Sequence, residues 1–111
     1  MIVSLKGRLE DVMQGAVVVE VQGVGYEVNV TTSVLNSLPP LGQEVQILTH
    51  LQVRDDSFIL YGFSSREERT LFHKIIGVNG IGPKSGLAIL SNIAAGDFVR
   101  AVQQQDLKTL I

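Results

Sequence analysis

Cysteine is absent from the 111 residues, so the chain has neither a disulfide framework nor a thiolate metal site. Any apolar run of membrane-spanning length is also missing. The N-terminal Met1-Ile2-Val3-Ser4-Leu5-Lys6 goes straight into strand-like alternation rather than a signal peptide. An excess of base is missing too. Nine Lys and Arg face eleven Asp and Glu, a net charge of −2, which argues against a general nucleic-acid glue. No Ser/His/Asp set is placed for catalysis. His50, in a strand pattern, and His73, in a helix pattern, lack a carboxylate cluster that would complete a metal site. The expectation is a cytoplasmic protein with no catalytic residue, no metal, no cofactor and no membrane attachment. What is abundant is apolar content, 45 % of the chain, enough for a packed core.

Charge is unevenly spread. Residues 1–60 carry three cations against seven acids, a balance of −4. Residues 61–111 carry six cations against four acids, a balance of +2, so an anion-binding surface is expected in the second half.

The two halves also differ in period. Residues 1–63 alternate with period 2 in five stretches: 2–9, 15–22, 25–31, 44–53 and 58–63. Gly23 and Gly25 are expected to bracket a tight turn. Between the third and fourth stretches, Thr31 or Thr32 can cap a short helix that Pro39-Pro40 ends. Three strands, a helix and two strands is the order of an OB-like five-stranded β-barrel, with a generic small barrel as the alternative. From residue 64 the period becomes 3.6. Ser64 with Glu67 and Ser65 with Glu68 both match a capping box. Leu71, Phe72, Ile75 and Ile76 form an apolar stripe, and Gly77 is a plausible C-cap. A second helix is expected from Pro83 to about Ile93, a third after Gly96-Asp97 with Phe98, Val99 and Val102, and a fourth from Asp106. The fold class is therefore β then α: a barrel over 1–63, then an all-α domain over 64–111. The chain stops on Leu110-Ile111, as a fragment would.

The most informative stretch is "IIGVNGIGPKSG", residues 75–86. A helix, a glycine-rich loop and a second helix can hold an anion. Gly80 and Gly82 permit φ > 0 and keep side chains out of the way. The free N–H groups and the helix dipole favour negative charge, Pro83 suits the first helical position, and Lys84 adds a cation. A P-loop is a poor match, because Pro83 separates Gly82 from Lys84-Ser85 and the loop follows a helix, not a strand. A base-excision glycosylase, with Lys84 and Asp97 as its chemistry, lacks visible room for a base-flipping pocket. A plain αα-turn is the bland alternative. Helix, "VNGIGPK" and helix resemble the helix-hairpin-helix motif, which grips DNA backbone without reading sequence. Elsewhere, Asp55 and Asp56 are adjacent in "HLQVRDDSFILYGF" and followed by Ser57, which places both acids on an exposed hairpin tip. A solvated turn is the simple explanation.

Taken together, "MIVSLKGRL", "GVGYEV", "THLQVRDD", "LYGF", "ERTLF" and "VNGIGPKSGLAIL" resemble the RuvA family, over essentially the whole chain. The resemblance implies an OB-fold first domain and a second domain with two helix-hairpin-helix motifs, of which only the first is complete here. A third domain, which binds the RuvB motor ATPase in that family, is absent from these residues. The resemblance also implies that Asn79, Gly80, Ile81, Gly82, Lys84 and Ser85 contact the DNA backbone. Asp55 and Asp56 fall on the family's acidic pin, whose first acid is often Glu. The implied partners are four-way junction DNA, further copies in a homotetramer or octamer, the motor and a RuvC-type resolvase. Two other classes stay open at this point: a helix-hairpin-helix repair enzyme and an OB-type protein-interaction module.

Overall fold

The structure, a computed structural model, describes residues 1–92. The helices expected after Gly96 and from Asp106, together with Ile93 and Asp97, lie outside the described residues.

Five strands, β1 (Ser4–Met13), β2 (Ala16–Val21), β3 (Val24–Val30), β4 (Glu44–Arg54) and β5 (Ser57–Phe63), close in the order β1-β2-β3-β5-β4. β3 and β5 run parallel, Val28 opposite Leu60 and Val30 opposite Gly62, and the other pairs are antiparallel. β1 closes the barrel because it is shared. Its first half, Ser4–Arg8, pairs with β4, and its second half, Arg8–Met13, pairs with β2. A register shift between Leu9 and Asp11 supplies the bend between the two. The barrel and its strand order bear out the OB-like expectation.

Local chemistry sets the connections. Gln22 and Gly23 have φ of +51° and +89°, the two positive values that a type I′ hairpin needs. Gly25 therefore does not bracket the turn; it sits inside β3 opposite Glu20. Helix α1 (Thr32–Asn36) starts where Thr31 Oγ1 accepts from the Val34 N–H at 3.3 Å. Val34 then plugs the barrel core of Leu5, Leu9, Val17, Val19, Val28, Val30, Ile47 and Leu60. Each such buried side chain contributes about 1.5–3 kcal/mol relative to leaving it in water.

β5 belongs to two cores at once. Leu60 faces the barrel. So does Gly62, where a Cβ would stand 2.6 Å from Ile47 and 2.7 Å from Val28 side-chain atoms. Tyr61 and Phe63 alternate to the other face and join Leu71, Phe72, Ile75 and Leu90 of helices α2 (Arg66–Ile76) and α3 (Pro83–Asn92). The "YGF" sequence is thus a strand that fills a helical core on one side and leaves room on the other.

Glu68 fixes how α2 leaves the barrel. Ser65 is the N-cap, its hydroxyl accepting from the Glu68 N–H at 3.1 Å, so the second of the two capping boxes forms. The Glu68 carboxylate is only 1 % exposed. Its Oε1 accepts from the Ser64 N–H at 2.9 Å, the Ser64 hydroxyl at 3.3 Å and the Thr31 hydroxyl at 2.8 Å. A buried carboxylate without a cation is tolerable because these donors and the first turn of α2 replace water. Gly86 lets α3 close on α2, since a Cβ there would meet Ile76 at 3.0 Å.

Candidate nucleic-acid interface

The α2–α3 loop is built by two stops and a turn. Gly77 ends α2 with its N–H donated to His73 O, in right-handed rather than left-handed backbone (φ −77°). The Ile81 N–H then donates to Val78 O at 3.1 Å, closing a four-residue turn with Gly80 third at φ +89°. Asn79 keeps a negative φ, which makes this a type II turn, the kind that calls for glycine at that position. Gly82 caps α3: its carbonyl accepts from the Gly86 N–H at 2.9 Å, and Pro83 takes the first helical position. Gly82 is not in the left-handed region, so its role is not the torsional freedom expected from sequence.

The loop presents backbone to solvent. Asn79, Gly80, Gly82, Lys84 and Ser85 are exposed. No atom lies within 4 Å of where a Cβ would be on Gly80 or Gly82. The N–H groups of Lys84 and Ser85 lead the first turn of α3, where the helix dipole is positive. Ile81 differs from its neighbours. Its side chain packs on the helical core, leaving only its backbone to face a ligand, and it anchors the loop from beneath. A concave run of amides with one ammonium group beside it fits a phosphate oxygen better than a base edge.

Asp55 and Asp56 form the two-residue turn between Arg54 and Ser57, which are paired in register. Both acids are exposed. Beneath them the cross-strand pair Val53 and Phe58 is 55 % and 74 % exposed, so the tip stands clear of the barrel core. Six residue steps of β5 separate Ser57 from Phe63, about 20 Å of strand. Acids and helices therefore sit at opposite ends of β5, joined through one rigid ladder.

Sequence reasoning missed the groups that couple these parts. The Glu68 clasp, the Gly62 clearance and a contact between His50 and His73 have no local signature, since each depends on residues 23 or more positions apart. His50 stacks near Phe72, ring centroids 5.3 Å apart, and Tyr61, at 6.5 Å. Partial burial lowers the His73 pKa from the usual histidine value, and His50 and Arg69 push it the same way. Arg69 donates to Val3 O at 2.8 Å, a second tie between α2 and the barrel. No group of three His, Asp or Glu that could hold a metal ion occurs among the described residues, and no described helix is long and apolar enough to cross a membrane.

Residues 1–62 match the family model described as RuvA N terminal domain. Over all 111 residues the chain is 45% identical to the Holliday junction branch migration complex subunit RuvA of Aliivibrio salmonicida. It is 46% identical over the same residues to the proteins of that name from Vibrio cholerae serotype O1 and Shewanella woodyi. Each alignment covers 100% of this chain and 54% of the relative, so the chain spans about half the length of the curated relatives it matches.

Proposed function

The chain belongs to the RuvA family, and from that premise we propose that it is a non-catalytic subunit that binds four-way junction DNA by shape. It would hold the junction open and square and serve a branch-migration motor. The observation that carries this is the pairing, on one rigid β5, of an acidic tip with a backbone-lined loop and Lys84. Asn79, Gly80, Gly82, Lys84, Ser85 and the Ile81 backbone would grip phosphates of the arms. Asp55 and Asp56 would repel phosphates from the crossover. A continuous duplex laid across the tips meets that repulsion; an open junction avoids it.

The proposal includes an organisation. Residues 1–63 act as the barrel domain and 64–111 as the helical DNA-binding domain. Four copies surround the crossover, with eight as the alternative stoichiometry. The exposed Val53–Phe58 pair supports self-association, since apolar surface left in water favours a covering copy. A RuvB-type motor would supply ATP hydrolysis and a RuvC-type resolvase would act on the same junction. The cytoplasm is the proposed location.

A mobility-shift titration with a four-way junction and a linear duplex of the same sequence tests the proposal. Junction binding at far lower protein concentration is expected, and equal affinity for the two would sink it. Light scattering is expected to give a tetramer mass, and a strict monomer at high concentration would count against the pin geometry.

A further inference from the structure

His50 on β4 and His73 on α2 meet across the seam between barrel and helices. His50 Nδ1 lies 3.2 Å from His73 Nε2, with the rings edge-on, centroids 5.1 Å apart and planes at 64°. On its other side, His50 Nε2 lies 3.1 Å from Gln52 Oε1. That oxygen can only accept, so Nε2 carries the ring proton and Nδ1 is left with its lone pair. A cavity of about 440 Å³ opens beside the pair, lined also by Thr49, Thr70 and Arg69.

We infer that His50 and His73 form a two-imidazole site for a borderline divalent transition cation, zinc being the type case, which bridges β4 to α2. The spacing fits. With metal–nitrogen bonds of about 2.0–2.1 Å at a tetrahedral angle, two imidazole nitrogens on one ion stand about 3.4 Å apart. A small ring rotation reaches that from 3.2 Å. The Gln52 carboxamide supplies the outer hydrogen bond that metal-bound histidines almost always make through their second nitrogen.

The protons balance. In the metal-free pair His73 donates its Nε2–H to His50 Nδ1. An ion takes the place of that proton, His73 shifts to its Nδ1–H tautomer, and no net proton is released. Water completes the coordination, and the cavity has room for it. The lowered His73 pKa keeps that ring neutral and able to ligate at neutral pH. Arg69 opposes a cation, but its guanidinium is held by Val3 O at 2.8 Å, so its effect is a modest affinity rather than exclusion. Hard cations such as magnesium prefer oxygen ligands and are not matched by two imidazoles. This revises the expectation of no metal, which rested on the distance between the two histidines in sequence.

The test uses the full chain stripped with a chelator, then titrated with zinc chloride. Calorimetry is expected to give one ion per chain. The melting temperature is expected to rise by about 4–8 °C at saturating zinc. Ring-nitrogen NMR signals of His50 and His73 should shift together. His73→Gln, at an exposed position, and His50→Gln should each abolish the zinc response, and magnesium should produce none. No rise with zinc, an undiminished rise in His73→Gln, or an equal rise with magnesium would overturn the inference.

Discussion

The β4–β5 tip and the α2–α3 loop both face solvent, yet they present different parts of the chain. At the tip, side chains do the presenting: Asp55 and Asp56 hold two carboxylates clear of the barrel on a paired ladder. At the loop, side chains are withdrawn. Gly80 and Gly82 have none, Ile81 turns inward, and what remains is a row of amides at a helix start with Lys84 beside it. One surface repels phosphate through net charge; the other attracts it through dipoles and one cation. Repulsion works at a distance and needs no fit, whereas amide recognition needs contact and therefore a set backbone.

That contrast depends on a common foundation, and the largest effects should come from breaking it. Phe72 is fully buried and packs on Phe63 at 4.8 Å and Tyr61 at 5.6 Å between ring centroids. Phe72→Ala should cost about 3–5 kcal/mol in urea unfolding, because the cavity opens where β5 meets α2. Glu68→Ala comes next. It leaves the Ser64 N–H and the Thr31 hydroxyl without their acceptor, each costing about 1–3 kcal/mol. Glu68→Gln keeps an oxygen and should cost clearly less. Equal losses for the two would mean that packing, not hydrogen bonding, holds the clasp.

Much of this was legible in the sequence for identifiable reasons. Period-2 runs and turn residues located all five strands, because strands half-buried in a barrel must alternate. Thr31, Ser65 and Pro83 marked helix starts, because caps and N1 prolines act within one turn of chain. Asp55-Asp56 and the 75–86 loop stood out because their chemistry is local. What was not legible is whatever one face does for another. Gly62 looks like an interruption of β5 until Ile47 and Val28 are seen to fill the space above it. Gly82 looks like Gly80, yet only Gly80 adopts φ > 0. Glu68 was read as half of a capping box, and its tie to Thr31 spans 37 residues.

Smaller changes sharpen the contrast itself. Lys84→Ala should weaken binding to DNA of every sequence alike and lower the salt slope by about one unit for each phosphate lost. A base-dependent loss would contradict backbone gripping. Gly82→Val should leave stability nearly unchanged, since nothing crowds that position, while cutting DNA affinity through bulk at the phosphate approach. A Gly82→Val protein with undiminished DNA affinity would show that no phosphate comes near this glycine.

The smallest effect on folding should accompany the sharpest effect on selectivity. Asp55→Asn combined with Asp56→Asn removes charge from an exposed tip, so stability should move by no more than about 0.5 kcal/mol. The most direct measurement titrates this protein and its parent, side by side, against junction and linear duplex at two salt concentrations. Neutral tips should bind duplex more tightly and junction equally or more tightly. The gap between substrates should therefore shrink, most at low salt, where charge is least screened. If the junction-to-duplex preference is unchanged at both salt concentrations, the two acids are a turn and nothing more, and selection by central repulsion is wrong.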